Sequence, residues 1–129
     1  MEFDHAGIAT DDRDALIDQY GAIFDASVAH EEQFGELRVA FLDLGNGYFE
    51  LLEPTADAEG PIPNFLDSRG AGIHHLALRT DDIGDALDRA RAAGVDLIDE
   101  QPRPGAWGHE VAFLHPGSTG GVLIEFVEH

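Results

Sequence analysis

The sequence contains no cysteine and no lysine, and it has no long apolar run. The absence of cysteine excludes disulfides and thiolate metal sites, and it suits a reducing compartment such as the cytoplasm. No segment reaches the roughly 20 apolar residues that a membrane-spanning helix needs, and no signal-peptide pattern opens the sequence. We therefore expect a cytoplasmic protein with no membrane partner.

Basic residues are scarce, and all seven of them are arginines, set against 26 acidic residues for a formal net charge of -19. Nucleic acids and anionic membrane surfaces both require a basic face, so neither is expected as a partner. Repulsion among so many like charges destabilises a compact chain unless salt screens it. The composition favours a halophilic cytoplasm, and an ordinary acidic soluble protein is the alternative.

The first part of the chain predicts the order β-α-β-β-β. Apolar residues alternate or recur with helical spacing over successive segments. The predicted strands are residues 3–10, 27–30, 37–44 and 48–53, and a helix follows Asp11 and Asp12. Gly45-Asn46-Gly47 predicts a tight turn before the last strand. A connector rich in glycine, proline and small polar residues comes next, with a short helix predicted at 64–68.

The second part of the chain repeats the first. Thr80-Asp81-Asp82 matches Thr10-Asp11-Asp12, and the segment 111–114 matches 39–42. The predicted elements are strands at 72–79, 95–98, 111–114 and 122–127, with a helix that places Ile83, Leu87 and Ala90 on one side. At 129 residues we expect one domain, with module one at 1–56, the connector at 57–71 and module two at 72–129.

Two adjacent histidines lie on the strand predicted at 72–79. Alternation puts Ile73, His75 and Ala77 on one face and His74, Leu76 and Leu78 on the other. The leucines predict that the second face is the core side, so we expect His75 to point away from the core. His5 occupies the equivalent place on the first strand. A histidine beside small residues, once in each module, leaves room for a ligand.

Each module also has a glutamate inside its last, apolar strand: Glu50 in the first and Glu125 in the second. A carboxylate in such a strand is costly unless it is paired or binds a cation. His5, Glu50, His75 and Glu125 therefore predict a divalent metal site, with Co, Mn, Ni, Zn or Mg as candidates. The alternative for each residue taken alone is an ordinary structural or solvated side chain.

The remaining histidines give weaker signals. We expect His30 and His129 to be solvated, His74 to be a hydrogen-bonded structural residue, and His115 to fix the turn before the last strand. His109 lies in the glycine-rich segment 105–109 beside Trp107. That segment predicts either a loop that approaches a ligand or a plain connection.

Six segments resemble the methylmalonyl-CoA epimerase family of the vicinal oxygen chelate (glyoxalase-type) superfamily. They are DHAGIA (4–9), NGYFELLEP (46–54), GIHHLA (72–77), GAWG (105–108), VAFLHP (111–116) and GGVLIE (120–125), and the last two are the most specific. The resemblance implies an α+β fold in which two tandem βαβββ modules pair into an incomplete barrel around a divalent metal. It implies metal ligands at His5, His75 and Glu125, with Glu50 where some members place a glutamine ligand.

Two positions depart from the family pattern. Gly117 stands where a lysine commonly follows the His-Pro pair, and Arg38 lies near the place where some members carry a further glutamate base. These departures leave the identity of the second base open.

The resemblance implies a metal-dependent epimerase that interconverts (2R)- and (2S)-methylmalonyl-CoA through an enolate. Glu50 and Glu125 would then be the catalytic acid/base pair, one for each face of the intermediate. An acyl-CoA partner needs cations for its phosphates, and Arg38, Arg79 and Arg103 are the candidates. A homodimer is the family expectation.

Two alternatives stay open. Glyoxalase I uses the same kind of metal set, although the arginine that its members often carry four residues after the first ligand is Ala9 here. A non-catalytic small-molecule-binding module of the same fold is the other, although such modules tend to lack the metal set. Ring-cleaving dioxygenases usually need four modules, and this chain has room for two.

Overall fold

Eight β-strands and three α-helices make up the computed structural model, which describes residues 1–129. The elements are β1 (Glu2–Ala9), α1 (Arg13–Phe24), β2 (Ser27–Phe34), β3 (Leu37–Asp43), β4 (Tyr48–Pro54), α2 (Pro61–Arg69), β5 (Gly72–Arg79), α3 (Ile83–Ala92), β6 (Arg103–Pro104), β7 (Glu110–Phe113) and β8 (Ile124–Glu128). Hydrogen bonds join the strands of the first module in the order β2-β3-β4-β1 and those of the second in the order β5-β8-β7-β6. The α+β class and the two successive βαβββ modules are confirmed.

Contacts between Cα atoms divide the chain into two compact units. One unit is His5–His74, and the other combines Met1–Asp4 with His75–His129. Strands β1 and β5 each contribute residues to both. No helix of the chain has the length and apolar character needed to cross a membrane.

In the unit His5–His74, β4 lies between β1 and β3, parallel to the first and antiparallel to the second. Helix α1 begins where the sequence predicts, because the Asp12 carboxylate accepts a hydrogen bond from the amide of Ala15 at 3.0 Å. The same helix start has a second capping contact, because Glu53, at the end of β4, accepts a hydrogen bond from the amide of Arg13 at 2.7 Å. Both carboxylates stabilise the positive end of the helix.

The other unit repeats this construction. Strand β8 lies between β5 and β7, parallel to the first and antiparallel to the second. Helix α3 begins at Asp82, which accepts from the amide of Asp85 at 3.0 Å, and Glu128 accepts from the amide of Ile83 at 2.8 Å. The same two capping contacts therefore stand at the start of both helices.

The strand predicted at 95–98 is wrong. Only an isolated bridge between Leu97 and Leu114 forms there. The amides of Ile98 and Asp99 both reach the carbonyl of Phe113, at 3.0 and 3.2 Å, so this segment cannot form a regular one-to-one ladder. The strand beside β7 is the two-residue β6 instead.

Other boundaries shift without changing the order of elements. Strand β2 extends to Phe34 rather than ending at residue 30, and β8 begins at Ile124 rather than at residue 122. Helix α2 spans Pro61–Arg69 rather than 64–68, because proline suits the first turn of a helix.

The alternation predicted for β5 is confirmed, and the register supports its core side: Leu76 pairs with Ile124 and Leu78 with Phe126, both in the apolar cluster that includes α3. The opposite face is buried as well. His75 and Ala77 are buried, whereas Leu76 and Leu78 are only half-buried. Ala77 packs in a small apolar cluster with Val111 and Val127, and these β-branched side chains cover the face that the sequence left open. His75 therefore points into the interior.

Candidate active site

The first candidate pair is His5 with Glu50. Strands β1 and β4 pair in parallel with Gly7 opposite Glu50, and His5 lies two residues before Gly7 on the same face. The His5 Nε2 atom lies 3.3 Å from the Glu50 Oε1 atom. His5 is 3% exposed and Glu50 is 6% exposed, so these two ionisable groups share one buried environment.

The second pair, His75 with Glu125, has the same construction. Strands β5 and β8 pair in parallel with Ala77 opposite Glu125, and His75 lies two residues before Ala77. The His75 Nε2 atom lies 3.6 Å from the Glu125 Oε1 atom. Both side chains are buried. The two glutamates of the apolar strands thus point inward, each towards the histidine of its own module.

An aromatic ring stands behind each histidine. Phe41 lies opposite Glu50 on β3, and its ring meets the His5 ring edge-on at 5.5 Å. Phe113 lies opposite Glu125 on β7, and its ring meets His75 in the same manner at 5.4 Å. We did not predict a role for these rings, although the repeated Val-Ala-Phe-Leu segments could have indicated one. They restrict the imidazole orientations.

The four predicted ligands have the donor chemistry of a metal site. Each unit brings one imidazole nitrogen close to one carboxylate oxygen, at 3.3 Å for His5 and Glu50 and at 3.6 Å for His75 and Glu125. Imidazole nitrogens and carboxylate oxygens suit a borderline divalent cation. All four residues are buried, where a cation would offset the cost of burying a carboxylate. The donors of each pair therefore fit the predicted metal.

His30 was expected to be solvated, and this expectation is wrong. It is half-buried on β2, and its Nε2 atom lies 3.1 Å from the Glu32 Oε1 atom. His30 pairs with Phe41, so His30 and Glu32 lie on the same face of the sheet as Phe41 and Glu50. The acidic residues 31 and 32 lay outside the strand predicted at 27–30. Only the alternation of His30, Glu32 and Phe34 carried the signal of a longer strand.

The glycine-rich segment also differs from a plain connection. Trp107 has a positive φ of 62°, and its ring stacks on His109 at 5.5 Å. His109 in turn stacks on His129 at 3.8 Å. His129 was expected to be solvated, but its Nε2 atom lies 2.7 Å from Oδ1 of the buried Asp4. This ring stack orders the segment.

Of the remaining two histidines, His115 fixes a turn as predicted, and the hydrogen bond expected of His74 stays a prediction. His74 packs edge-on against Phe65 of α2 at 5.2 Å, on the strand face opposite to His75. The His115 Nδ1 atom accepts a hydrogen bond from the amide of Gly117 at 3.0 Å, which fixes the turn before β8.

Two of the candidate cations for acyl-CoA are held by carboxylates. Arg38 donates to Glu53 at 2.9 Å and to Asp14 at 3.1 Å, on the face of β3 opposite to Phe41. Hydrogen bonds from Arg38 and then Arg13 lower the pKa of Asp14. Arg79 donates through two nitrogens to Asp4, at 3.0 and 2.9 Å. These two guanidinium groups are already neutralised.

Comparison with known proteins agrees with this architecture. A family model described as the Glyoxalase/Bleomycin resistance protein/Dioxygenase superfamily matches residues 4–113. A methylmalonyl-CoA epimerase of Dictyostelium discoideum is 39% identical over 98% of this chain and 78% of its own length. An ethylmalonyl-CoA/methylmalonyl-CoA epimerase of Cereibacter sphaeroides is 37% identical over 94% of this chain and 92% of its own.

Solved structures give the same result. A methylmalonyl-CoA epimerase in complex with methylmalonyl-CoA and an ammonium ion superposes with a TM-score of 0.90. It is 36% identical, and the match covers 98% of this chain and 93% of that one. The chain belongs to the glyoxalase-type superfamily. Within that superfamily it belongs to the methylmalonyl-CoA epimerase family, as the sequence motifs predict.

Proposed function

We propose that this chain is an epimerase that interconverts (2R)- and (2S)-methylmalonyl-CoA by proton transfer at C2. The observation that carries the proposal is the same buried His–Glu pair in each module, His5 with Glu50 and His75 with Glu125. Inversion at one carbon requires one acid/base on each face of a planar intermediate. Two equivalent carboxylates from two equivalent modules supply that requirement. The family membership supports the same substrate.

The four residues His5, Glu50, His75 and Glu125 would hold one divalent cation, with Co, Mn, Ni, Zn and Mg as candidates. The support is the imidazole beside a carboxylate in each module, at 3.3 Å and 3.6 Å, and the burial of all four residues. When bound, such a cation polarises the thioester carbonyl and thereby makes the C2 proton more acidic.

The protein residues carry the proton. One of Glu50 and Glu125 accepts the C2 proton on a carboxylate oxygen, and the other returns a proton to C2 from the opposite face. Each carboxylate lies beside an imidazole, which orients it. Burial keeps bulk water away from both. If one of the two acts only as a ligand, Glu32 with its His30 contact is a further candidate acid on the sheet face of Glu50.

An assay with purified, metal-loaded protein tests this function. The protein should convert (2R)-methylmalonyl-CoA to an equal mixture of both isomers, measured by a stereospecific coupled enzyme. The hemithioacetal of methylglyoxal and a thiol serves as the competing substrate. Conversion of the hemithioacetal without epimerisation would move the chain to glyoxalase I. Tight binding of the CoA ester with no turnover would indicate a non-catalytic binding module.

Three further expectations stay predictions. They are a homodimer, a cytoplasmic location and a halophilic source. The size of the purified protein in solution tests the first of them.

A further inference from the structure

Arg103 differs from Arg79 and Arg91, two other arginines of module two, in what its side chain donates to. Arg79 donates through Nε and Nη2 to Asp4, and Arg91 donates through Nη1 to Asp88. Arg103 donates through Nε alone, to Oδ1 of Asp99 at 3.1 Å. Its two terminal nitrogens, the pair that binds carboxylates and phosphates bidentately, therefore remain available.

The position of this guanidinium is fixed from several sides. Asp99 is 16% exposed, and its second oxygen accepts the amide of Phe113 at 2.9 Å, so the carboxylate that anchors Arg103 is itself anchored to β7. Pro102 and Pro104 flank Arg103 and restrict the backbone on both sides. A guanidinium held in this manner loses little conformational entropy when it binds an anion.

The guanidinium also lies close to the candidate active site. Its central carbon is 5.5 Å from the centroid of the Phe113 ring, and that ring is 5.4 Å from the His75 ring. One aromatic side chain therefore separates the cation from a candidate metal ligand. The Arg103 side chain is 49% exposed, so a ligand in solution can reach it.

An acyl-CoA substrate carries several negative charges, and a chain with a net charge of -19 repels it. Productive binding needs a cation that is both uncommitted and near the reacting group. We propose that Arg103 binds an anionic group of the acyl-CoA substrate through its two terminal nitrogens, with Asp99 as its positioning residue. This inference rests on the proposed function. The shared chemistry is an oxyanion, which is either a phosphate of CoA or the carboxylate of the acyl group.

Steady-state kinetics test the role of Arg103. Arg103→Ala should raise KM for methylmalonyl-CoA about tenfold to a hundredfold and change kcat little, since a hydrogen-bonded charge contact is lost. Arg103→Lys should recover only part of the loss, because lysine lacks the planar fork. Asp99→Asn should raise KM by a smaller factor. Arg91→Ala is the matched control, an arginine of α3 that pairs with Asp88, and should leave KM unchanged.

Calorimetric binding with two probes separates the two anions and needs no turnover. Propionyl-CoA lacks the acyl carboxylate, and methylmalonyl-pantetheine lacks the nucleotide phosphates. Weaker binding of propionyl-CoA by Arg103→Ala assigns a phosphate, and weaker binding of methylmalonyl-pantetheine alone assigns the carboxylate. Unchanged affinity for both probes overturns the proposal, as does a fall in kcat with no change in KM. A third outcome separates the two proposals. If the wild-type protein binds the probes but does not epimerise methylmalonyl-CoA, and Arg103→Ala loses that binding, the proposed function is overturned while the Arg103 contact is supported.

Discussion

The two modules share the geometry of their His–Glu pairs but differ in what surrounds them. In both modules a histidine contacts the glutamate of the neighbouring parallel strand, as His5 contacts Glu50 and His75 contacts Glu125. In both, the ring of a phenylalanine on the next strand packs edge-on against that histidine. In module one Phe41 is 3% exposed and also contacts Tyr48, at 6.1 Å. In module two Phe113 is half-buried and Arg103 lies over its ring.

The helices differ as well. Helix α3 buries Ile83 and Leu87 in the core of its unit, whereas α1 has no fully buried residue and leaves Ile23 61% exposed. Both modules retain the contacts that position an imidazole beside a carboxylate, and both retain the carboxylate caps at their helix starts. The features that diverge lie outside the His–Glu pairs. This pattern supports the proposals that the pairs are the functional part of the duplication and that Arg103 of module two binds an anionic group of the substrate.

The largest expected effect is the loss of metal affinity when either His5 or His75 is replaced, and it tests whether both are metal ligands. His5→Ala and His75→Ala should each lower metal affinity by a hundredfold or more, since loss of a direct ligand exceeds the tenfold to hundredfold effect of an outer partner. His74→Ala is the control, because His74 lies on the same strand but faces Phe65. Metal content by mass spectrometry measures the outcome. Full metal content in both single variants would show that these histidines are not ligands.

The two aromatic rings should differ in their contribution to stability. Phe41→Ala should lower the free energy of unfolding by about 3–5 kcal/mol, as expected for a buried ring, and Phe113→Ala should cost clearly less because its ring is half-buried. Urea denaturation measures both values. Equal losses would show that the two rings contribute alike to stability, despite the deeper burial of Phe41 in module one.

Salt should affect the acidic surface that both modules share. The unfolding midpoint should rise between dilute and molar KCl, because screening shortens the reach of the repulsion to about 3 Å at 1 M. Thermal melts followed by circular dichroism give the midpoint. A midpoint that stays constant or falls would show that the charge of -19 does not limit stability, and it would contradict the halophilic interpretation.

The smallest effect concerns the helix starts, where the modules are most alike. Asp12→Ala and Asp82→Ala should each lower the free energy of unfolding by about 1 kcal/mol, because each removes an N-cap. Asp11→Ala and Asp81→Ala are the neighbouring controls on exposed side chains and should have little effect. If the two variants lose different amounts of unfolding free energy, the N-caps contribute unequally to the stability of the two helices.

The sequence predicted the order of elements in each module and the four candidate ligands because local patterns indicate both, but it did not predict which histidine contacts which glutamate. Thr-Asp-Asp precedes each helix, and each glutamate interrupts an apolar strand, so capping and burial cost were visible without tertiary structure. The irregular segments were not predictable in this way. The segment 95–98 has a strand-like composition, but its amides share the Phe113 carbonyl, and that arrangement depends on the path of a loop.

The burial of the β5 face that carries His75 and Ala77 was not predicted, for a related reason. Leu76 and Leu78 are larger than Ala77, so composition favoured their face. The actual burial of Ala77 depends on Val111 and Val127 from strands that are distant in sequence. The His30–Glu32 contact and the anchoring of Arg103 by Asp99 likewise require three-dimensional proximity that no local pattern encodes.

Isotope exchange at C2 tests most directly the claim that the two glutamates act on opposite faces of one carbon. Wild-type protein in deuterated water should place deuterium at C2 of methylmalonyl-CoA while the isomers equilibrate, as followed by proton NMR. Glu50→Gln and Glu125→Gln should each slow interconversion about a hundredfold or more, with exchange surviving for one isomer in the first variant and for the other isomer in the second. Wild-type rates of interconversion in both variants would contradict the account.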